Sequence, residues 1–463
     1  MSGSSSGHAA SHAATRSAGQ AAGCPIVLLA GTVLAPEPSV GVVGILAEGG
    51  VIARLLSDRS EAPDGAEVYD LGPDAVLVPG MIDVHTHGGW GLRYPDGHDA
   101  ARTILRRRAE SGCTGLLMTV GGSPEEMVTW LPSLADLVEQ PTGGAVALGF
   151  HIEGPWLNWD AWVSWGARAS SGRELFPPDP DDFFRIQEAA RGQIKLVSCA
   201  PEFPDALRFI ETLSKAGVVP SIGHTTASPQ LARDAIQAGV RHATHTFNGM
   251  QPLHHRDPGT AGVVLTDPRV VAELIPDGSH VHPIAQQLLY RAKGPDRVAL
   301  VTDGTRFGGF PQGTYYDGER KLEIRDDLGC WTEKGNLAGS GSPIDRDLAV
   351  LTTEGGVPWE HAARMGATVP AIELGLGTHK GRLIPGYDAD IAVFAPVSGA
   401  MLGGGLRVLP GSDRRCILTM VGGQIVYRRE QIQGQEDDAR AREDEAMTRQ
   451  FRAPEVREET ARK

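Results

Sequence analysis

Six residues of this chain have the types and placement for metal-assisted proton chemistry: His85, His87, Glu153, His224, His245 and Asp303. His85 and His87 end the apolar run Val78 to Thr86 and are followed by Gly88-Gly89. Side chains alternate along a strand, so the two imidazoles point to one side and can grip one cation, while the glycines let the backbone turn away. The other four also stand at or just beyond the ends of apolar runs, at His151-Ile152-Glu153, Gly223-His224, His242 to His245 and Val301-Thr302-Asp303. Singly, each has an ordinary structural use: a turn cap, a backbone hydrogen bond, an Asp-Gly turn. Jointly they point to one site. Imidazole with carboxylate suits Zn²⁺ or another late divalent ion, and an open position there would bind and acidify water. A neighbouring carboxylate could take a proton from that water and return it to a leaving amine, which is hydrolysis.

Such residues converge only if the elements carrying them share one end of a scaffold. Eight apolar runs alternate with helical stretches: Met81 to His85, Gly115 to Thr119, Ala145 to His151, Ile194 to Cys199, Val218 to Gly223, His242 to His245, Val270 to Ile275 and Val298 to Asp303. That alternation predicts parallel strands with crossover helices, and eight of them predict an α/β fold of the (β/α)₈ TIM-barrel type with its chemistry at the C-terminal strand ends. Ser123-Pro124-Glu125-Glu126 and Ser228-Pro229 are helix starts, each with a capping serine and a proline at the first helical position. The segment Gly313 to Leu337 is strand-like, with turns at Asp317-Gly318 and Leu328-Gly329, and predicts a hairpin excursion after the eighth strand.

Short β patterns flank the barrel, at Ile26 to Leu56 and at Ile391 to Tyr427. They predict a small β-sandwich domain formed from both ends of the chain. The expected division is a disordered extension over 1–23, the first part of the small domain over 24–78, the barrel over 79–380, the second part over 381–428 and a charged tail over 429–463, solvated as a helix or disordered. With 463 residues and a formal net charge of −14, the chain can bury a large core and is a poor partner for nucleic acid or an anionic membrane surface. Five scattered cysteines, odd in number and without a Cys-x-x-Cys pair, fit a reducing cytoplasmic setting. No apolar run approaches the roughly 20 residues that span a bilayer.

The motifs His151-Ile152-Glu153-Gly154-Pro155-Trp156, Gly223-His224-Thr225-Thr226-Ala227, Ala243-Thr244-His245-Thr246-Phe247-Asn248-Gly249-Met250, Val301-Thr302-Asp303 and Leu337-Ala338-Gly339-Ser340 resemble, in order and spacing, those of the N-acetylglucosamine-6-phosphate deacetylase family of the amidohydrolase superfamily. The likeness runs from about Ile26 to Val426. It implies that Glu153, His224 and His245 hold the main metal, Zn²⁺ or else Fe²⁺ or another divalent ion, and that Asp303 is the catalytic acid and base. His85 and His87 would add a second ion in the manner of the two-metal members, so one or two ions are expected. No lysine stands where the wider superfamily carries a bridging carbamate, and Glu153 would take that role. For an N-acetylated amino-sugar phosphate, the resemblance implies contacts from Asn248 and Gly249, a phosphate-binding Arg256 and a substrate-side His280. A homodimer sharing the phosphate pocket is expected too.

The chain departs from that pattern after Glu153. Trp156, Trp159, Trp162 and Trp165 recur every third residue, and Arg168 stands in Gly166-Ala167-Arg168 where the family commonly has Gly-Ala-His. This favours, as the alternative, a sister amidohydrolase cleaving another N-acyl amide. A non-catalytic barrel scaffold is the remaining reading, against which stands the complete set of ligands and acid.

Overall fold

The computed structural model describes residues 24–35, 41–160, 174–397, 414–429 and 444–452. Eight parallel strands pair in chain order: β1 (Met81–Thr86), β2 (Cys113–Val120), β3 (Val146–Glu153), β4 (Ile194–Cys199), β5 (Val219–Ile222), β6 (His242–Ala243), β7 (Val271–Leu274) and β8 (Val298–Leu300). Each coincides with one of the eight apolar runs. The backbone just beyond β8 closes the ring on β1: Thr86 bridges Gly304, the Asp303 N–H donates to the His85 carbonyl at 2.9 Å, and the His87 N–H donates to the Gly304 carbonyl at 2.8 Å. The result is the expected (β/α)₈ barrel, and its closure joins the end of the first strand to the end of the last.

The helix starts are as the sequence predicts. Ser123 caps Pro124–Ala135 in a reciprocal capping box with Glu126, and Ser228 caps Pro229–Ala238. Both devices satisfy backbone N–H groups that a helix start leaves without partners. After β8 comes the expected excursion, a four-stranded antiparallel sheet of Gly313–Asp317, Arg320–Ile324, Gly329–Thr332 and Leu337–Ser340. Its end returns to the site, with the Ser340 N–H donating to the Asp303 carbonyl at 2.9 Å. Gly339, at φ +89°, permits that approach, because a Cβ there would lie 2.7 Å from the Asp303 carbonyl oxygen.

Strands from both chain ends form two further sheets. Val76–Pro79 pairs antiparallel with Ile391–Pro396, which pairs with Arg414–Val421 and so to Gln424–Arg428. Ile26–Leu29, Gly44–Glu48, Val51–Leu56 and Glu67–Asp70 make the other sheet. Leu28, Ile45 and Ile52 from the one and Leu77, Val393, Leu418 and Met420 from the other share a buried apolar core. Lys380 fixes the return of the chain, its ammonium lying 2.6 Å from Asp390 and 3.0 Å from Asp388.

Where it is described, over 444–452, the tail begins as a helix, one of the two forms expected, but one side of it docks on the barrel; 1–23 lies outside the described residues. Asp444 pairs with the buried Arg107 at 2.6 Å, and the Phe451 ring packs on Phe307 and Phe310 while its carbonyl accepts the Tyr316 N–H at 2.7 Å. The tail is rich in charge, but Met447 and Phe451 give it one apolar stripe, and that stripe docks against the excursion sheet. All five cysteines are free thiols, four of them buried. Among the described residues no helix is long and apolar enough to cross a membrane.

Candidate active site

The six candidate residues meet at the C-terminal mouth of the barrel. Glu153 Oε1 lies 3.1 Å from His224 Nε2 and 3.0 Å from His245 Nε2, and those two nitrogens are 2.9 Å apart. Beside this trio, His85 Nε2 and His87 Nε2 are 3.3 Å apart, with Asp303 Oδ1 3.5 Å and 3.4 Å away. Glu153 faces both groups, since Oε1 is 3.5 Å from His85 Nε2 and Oε2 is 3.1 Å from His87 Nε2. Donors placed tetrahedrally about a cation at about 2.1 Å lie roughly 3.4 Å from one another. Both trios therefore have the donor chemistry and the spacing for a divalent ion.

The backbone is bent to achieve this. His224, His245 and Asp303 have φ of +45°, +31° and +47°, in a region that residues with a Cβ seldom occupy. Such strain, about 1–3 kcal/mol per residue, persists where surrounding structure enforces it and recurs at functional sites.

The charges around the site oppose burial. Burial alone would raise the Glu153 carboxyl, but His85, His224 and His245 hold it well below the carboxylate range. Asp303 is likewise lowered against burial by His85 and His87. Burial would lower the His87 imidazole, yet Asp303 and Glu153 lift it to about 9, and Glu273, Glu153 and Asp303 lift His85 well above its usual value. His224 goes the other way, lowered by burial ahead of its bond to Glu153.

The residues expected at the substrate divide. Asn248 Nδ2 donates to the His245 carbonyl at 3.2 Å, and the Gly249 carbonyl accepts the Thr225 N–H at 2.9 Å, so this loop adjoins the ligands. His280 Nδ1 is 2.7 Å from Asp277, and that charge, with lesser help from Asp303, lifts the imidazole against burial. Arg256 lies on an exposed loop with its guanidinium 2.8 Å from His255 Nε2. Arg168, Trp162 and Trp165 lie outside the described residues. The tryptophan series separates: Trp156 is buried against Phe209, whereas the Trp159 ring lies 4.7 Å from the His224 ring.

Three buried groups around the candidate ligands escape the sequence reading. Glu273 on β7 meets His85 Nδ1, His242 bridges Glu273 and Glu373, and His151 sets its ring edge-on to His85 at 4.6 Å with Nε2 2.8 Å from the Ser198 hydroxyl. Burial would lower His242, but Glu373 and Glu273 lift it to about 10. The signal for Glu273 was present, a lone acid in the apolar run Val270 to Ile275.

The amidohydrolase family model matches residues 76–426. The N-acetylglucosamine-6-phosphate deacetylase of Bacillus subtilis (strain 168) is 32% identical over 392 residues, 84% of this chain and 93% of the relative. The chain belongs to the amidohydrolase family, in its N-acetylglucosamine-6-phosphate deacetylase branch. Among other members, the N-acetylgalactosamine-6-phosphate deacetylase of Escherichia coli O157:H7 is 32% identical over 319 residues, 68% of this chain and 82% of that protein. The N-acetyl-D-glucosamine-6-phosphate deacetylase of Mycobacterium smegmatis, solved in complex with N-acetyl-D-glucosamine-6-phosphate, superposes with a TM-score of 0.73 at 28% identity, covering 87% of this chain and 100% of that one. Family membership makes the chain a hydrolase, and the superfamily implies a divalent metal.

Proposed function

We propose that this protein removes the acetyl group of N-acetylglucosamine 6-phosphate, giving glucosamine 6-phosphate and acetate. The observation that carries the reading is the sharing of Glu153 by two donor trios, with Asp303 at the same mouth. Glu153, His224 and His245 would hold the principal cation, Zn²⁺ ahead of Fe²⁺, and His85, His87 and Asp303 a second. A divalent ion there would supply Lewis acidity toward the acetyl carbonyl and toward water.

The chain's own groups do the rest. Asp303, lowered and therefore ionised at neutral pH, accepts a proton from the attacking water and hands it to the departing amine. His87, still 30% exposed, marks the open side of the site. Asn248 and Gly249 would contact the sugar, His280 and Arg168 the substrate, and Arg256 the phosphate; a guanidinium fork suits that anion. We place the enzyme in the cytoplasm as a homodimer, a state that would give the exposed Arg256 loop a second surface.

A second reading, a different acylated amino sugar, is favoured by Trp159 over His224 and by the galactosamine-phosphate relative. Acetate release from N-acetylglucosamine 6-phosphate, its galactosamine epimer and unphosphorylated N-acetylglucosamine separates the readings. The first substrate should turn over with the highest kcat/KM. A clear preference for the epimer selects the second reading, and equal turnover without phosphate removes the role of Arg256.

A further inference from the structure

Behind the candidate ligands stand three side chains that the proposed reaction does not use directly, Glu373, His242 and Glu273, in a line that ends on His85. Glu373, at the end of the helix Val369–Glu373, places Oε1 2.6 Å from His242 Nδ1. His242 Nε2 lies 2.8 Å from Glu273 Oε1, and Glu273 Oε2 lies 2.8 Å from His85 Nδ1. The same Oε2 accepts the backbone N–H of His245 at 2.7 Å. His85, His242 and Glu273 are wholly inaccessible to solvent.

Each contact restricts a ligand. With Nδ1–H held by a carboxylate, the His85 ring presents Nε2 to the mouth in one orientation, the usual role of an outer carboxylate behind a metal-binding imidazole. With its N–H held by the same oxygen, His245 is kept at φ +31°, where its Nε2 reaches Glu153. One carboxylate thus grips the side chain of one trio and the backbone of the other. His242 and Glu373 hold that carboxylate in turn, so its orientation is fixed from both ends.

We propose that Glu273 is a positioning residue that sets both cation subsites at once, and that His242 and Glu373 are its support. The proposal rests on the metal-dependent reading of the site, but its test does not need the substrate. Divalent zinc affinity, by competition with a chromophoric chelator, and zinc content are measured on the full chain for the wild type, Glu273→Gln, Glu273→Ala and Glu373→Gln, beside the melting temperature of each chelated protein.

Glu273→Ala should weaken zinc binding about 10- to 100-fold, the range for loss of an outer partner of a metal ligand. Glu273→Gln, which keeps an acceptor for His85 Nδ1 and the His245 N–H, should recover most of the affinity. Glu373→Gln should weaken binding in the same direction, by less. Wild-type affinity in a folded Glu273→Ala protein overturns the proposal, as does equal impairment of the Gln and Ala variants at unequal melting temperatures. If Glu273→Ala does not fold, Glu373→Gln decides, and unchanged affinity there overturns the role of the line. Acetate release is recorded separately: failure of the wild type to cleave any acylated sugar while the zinc pattern holds would sink the substrate assignment and leave this inference standing.

Discussion

The two donor trios should differ in how their metal binding depends on pH. In the metal-free protein the His87 imidazole is lifted to about 9 and His85 stands well above its usual value, so both carry protons at neutral pH. His224 is lowered by burial and is neutral there. A cation entering the Glu153, His224 and His245 trio need displace no proton from His224. A cation entering beside His85 and His87 must displace protons, because only the neutral imidazole binds metal. At about pH 7.5, taking the proton from a group with a pKa of about 9 costs about 2 kcal/mol, a roughly 30-fold weaker apparent affinity than that of the fully deprotonated imidazole. A cation already on Glu153 draws the His87 pKa down, so that figure is an upper bound. The assay is calorimetric titration of chelator-treated protein with zinc, in buffers of different ionisation enthalpy, which counts protons released per ion. The first ion should release few protons, and the second about one to two, fewer as the pH rises toward about 9. Equal release by both ions, or uptake independent of pH from about 6.5 to 9, would refute the reasoning. Stability of the metal-free protein has the opposite sign: the folded His87 pKa lies above the unfolded value of about 6.5, so its contribution is full below that pH and is lost as the pH rises through about 9.

Asp303→Asn should lower kcat by roughly 10²- to 10⁴-fold, the usual weight of a general acid–base group, with zinc bound at the Glu153 trio retained; wild-type acetate release would remove Asp303 from the mechanism. Lys380→Met removes the largely buried ammonium that pairs with both Asp388 and Asp390, and should cost about 3 kcal/mol in urea denaturation. A loss below about 1 kcal/mol would mean that these ion pairs contribute no more than exposed ones do. Phe451→Ala removes a partly buried ring from Phe307, Phe310 and Gly91 and should cost roughly 2 kcal/mol, read as a lower melting temperature; an unchanged melting temperature would show that the tail adds nothing to the barrel.

The barrel was legible because parallel strands covered on both faces read as short apolar runs, and each of the eight runs is a strand. The metal-type residues were legible because His85, His87, Glu153, His224, His245 and Asp303 close or follow those runs, and in a barrel strand ends meet. The docking of the tail was not legible because charge density hides a stripe of two apolar residues, Met447 and Phe451, whose value depends on the surface they meet. Residue types and local spacing thus determined the strands and the candidate ligands. Tertiary structure alone decided that Glu153 serves both trios and that Glu273 stands behind His85. Glu273 and His85 are 188 residues apart, and no local pattern relates them; only ring closure brings a buried acid on the seventh strand within 2.8 Å of an imidazole on the first.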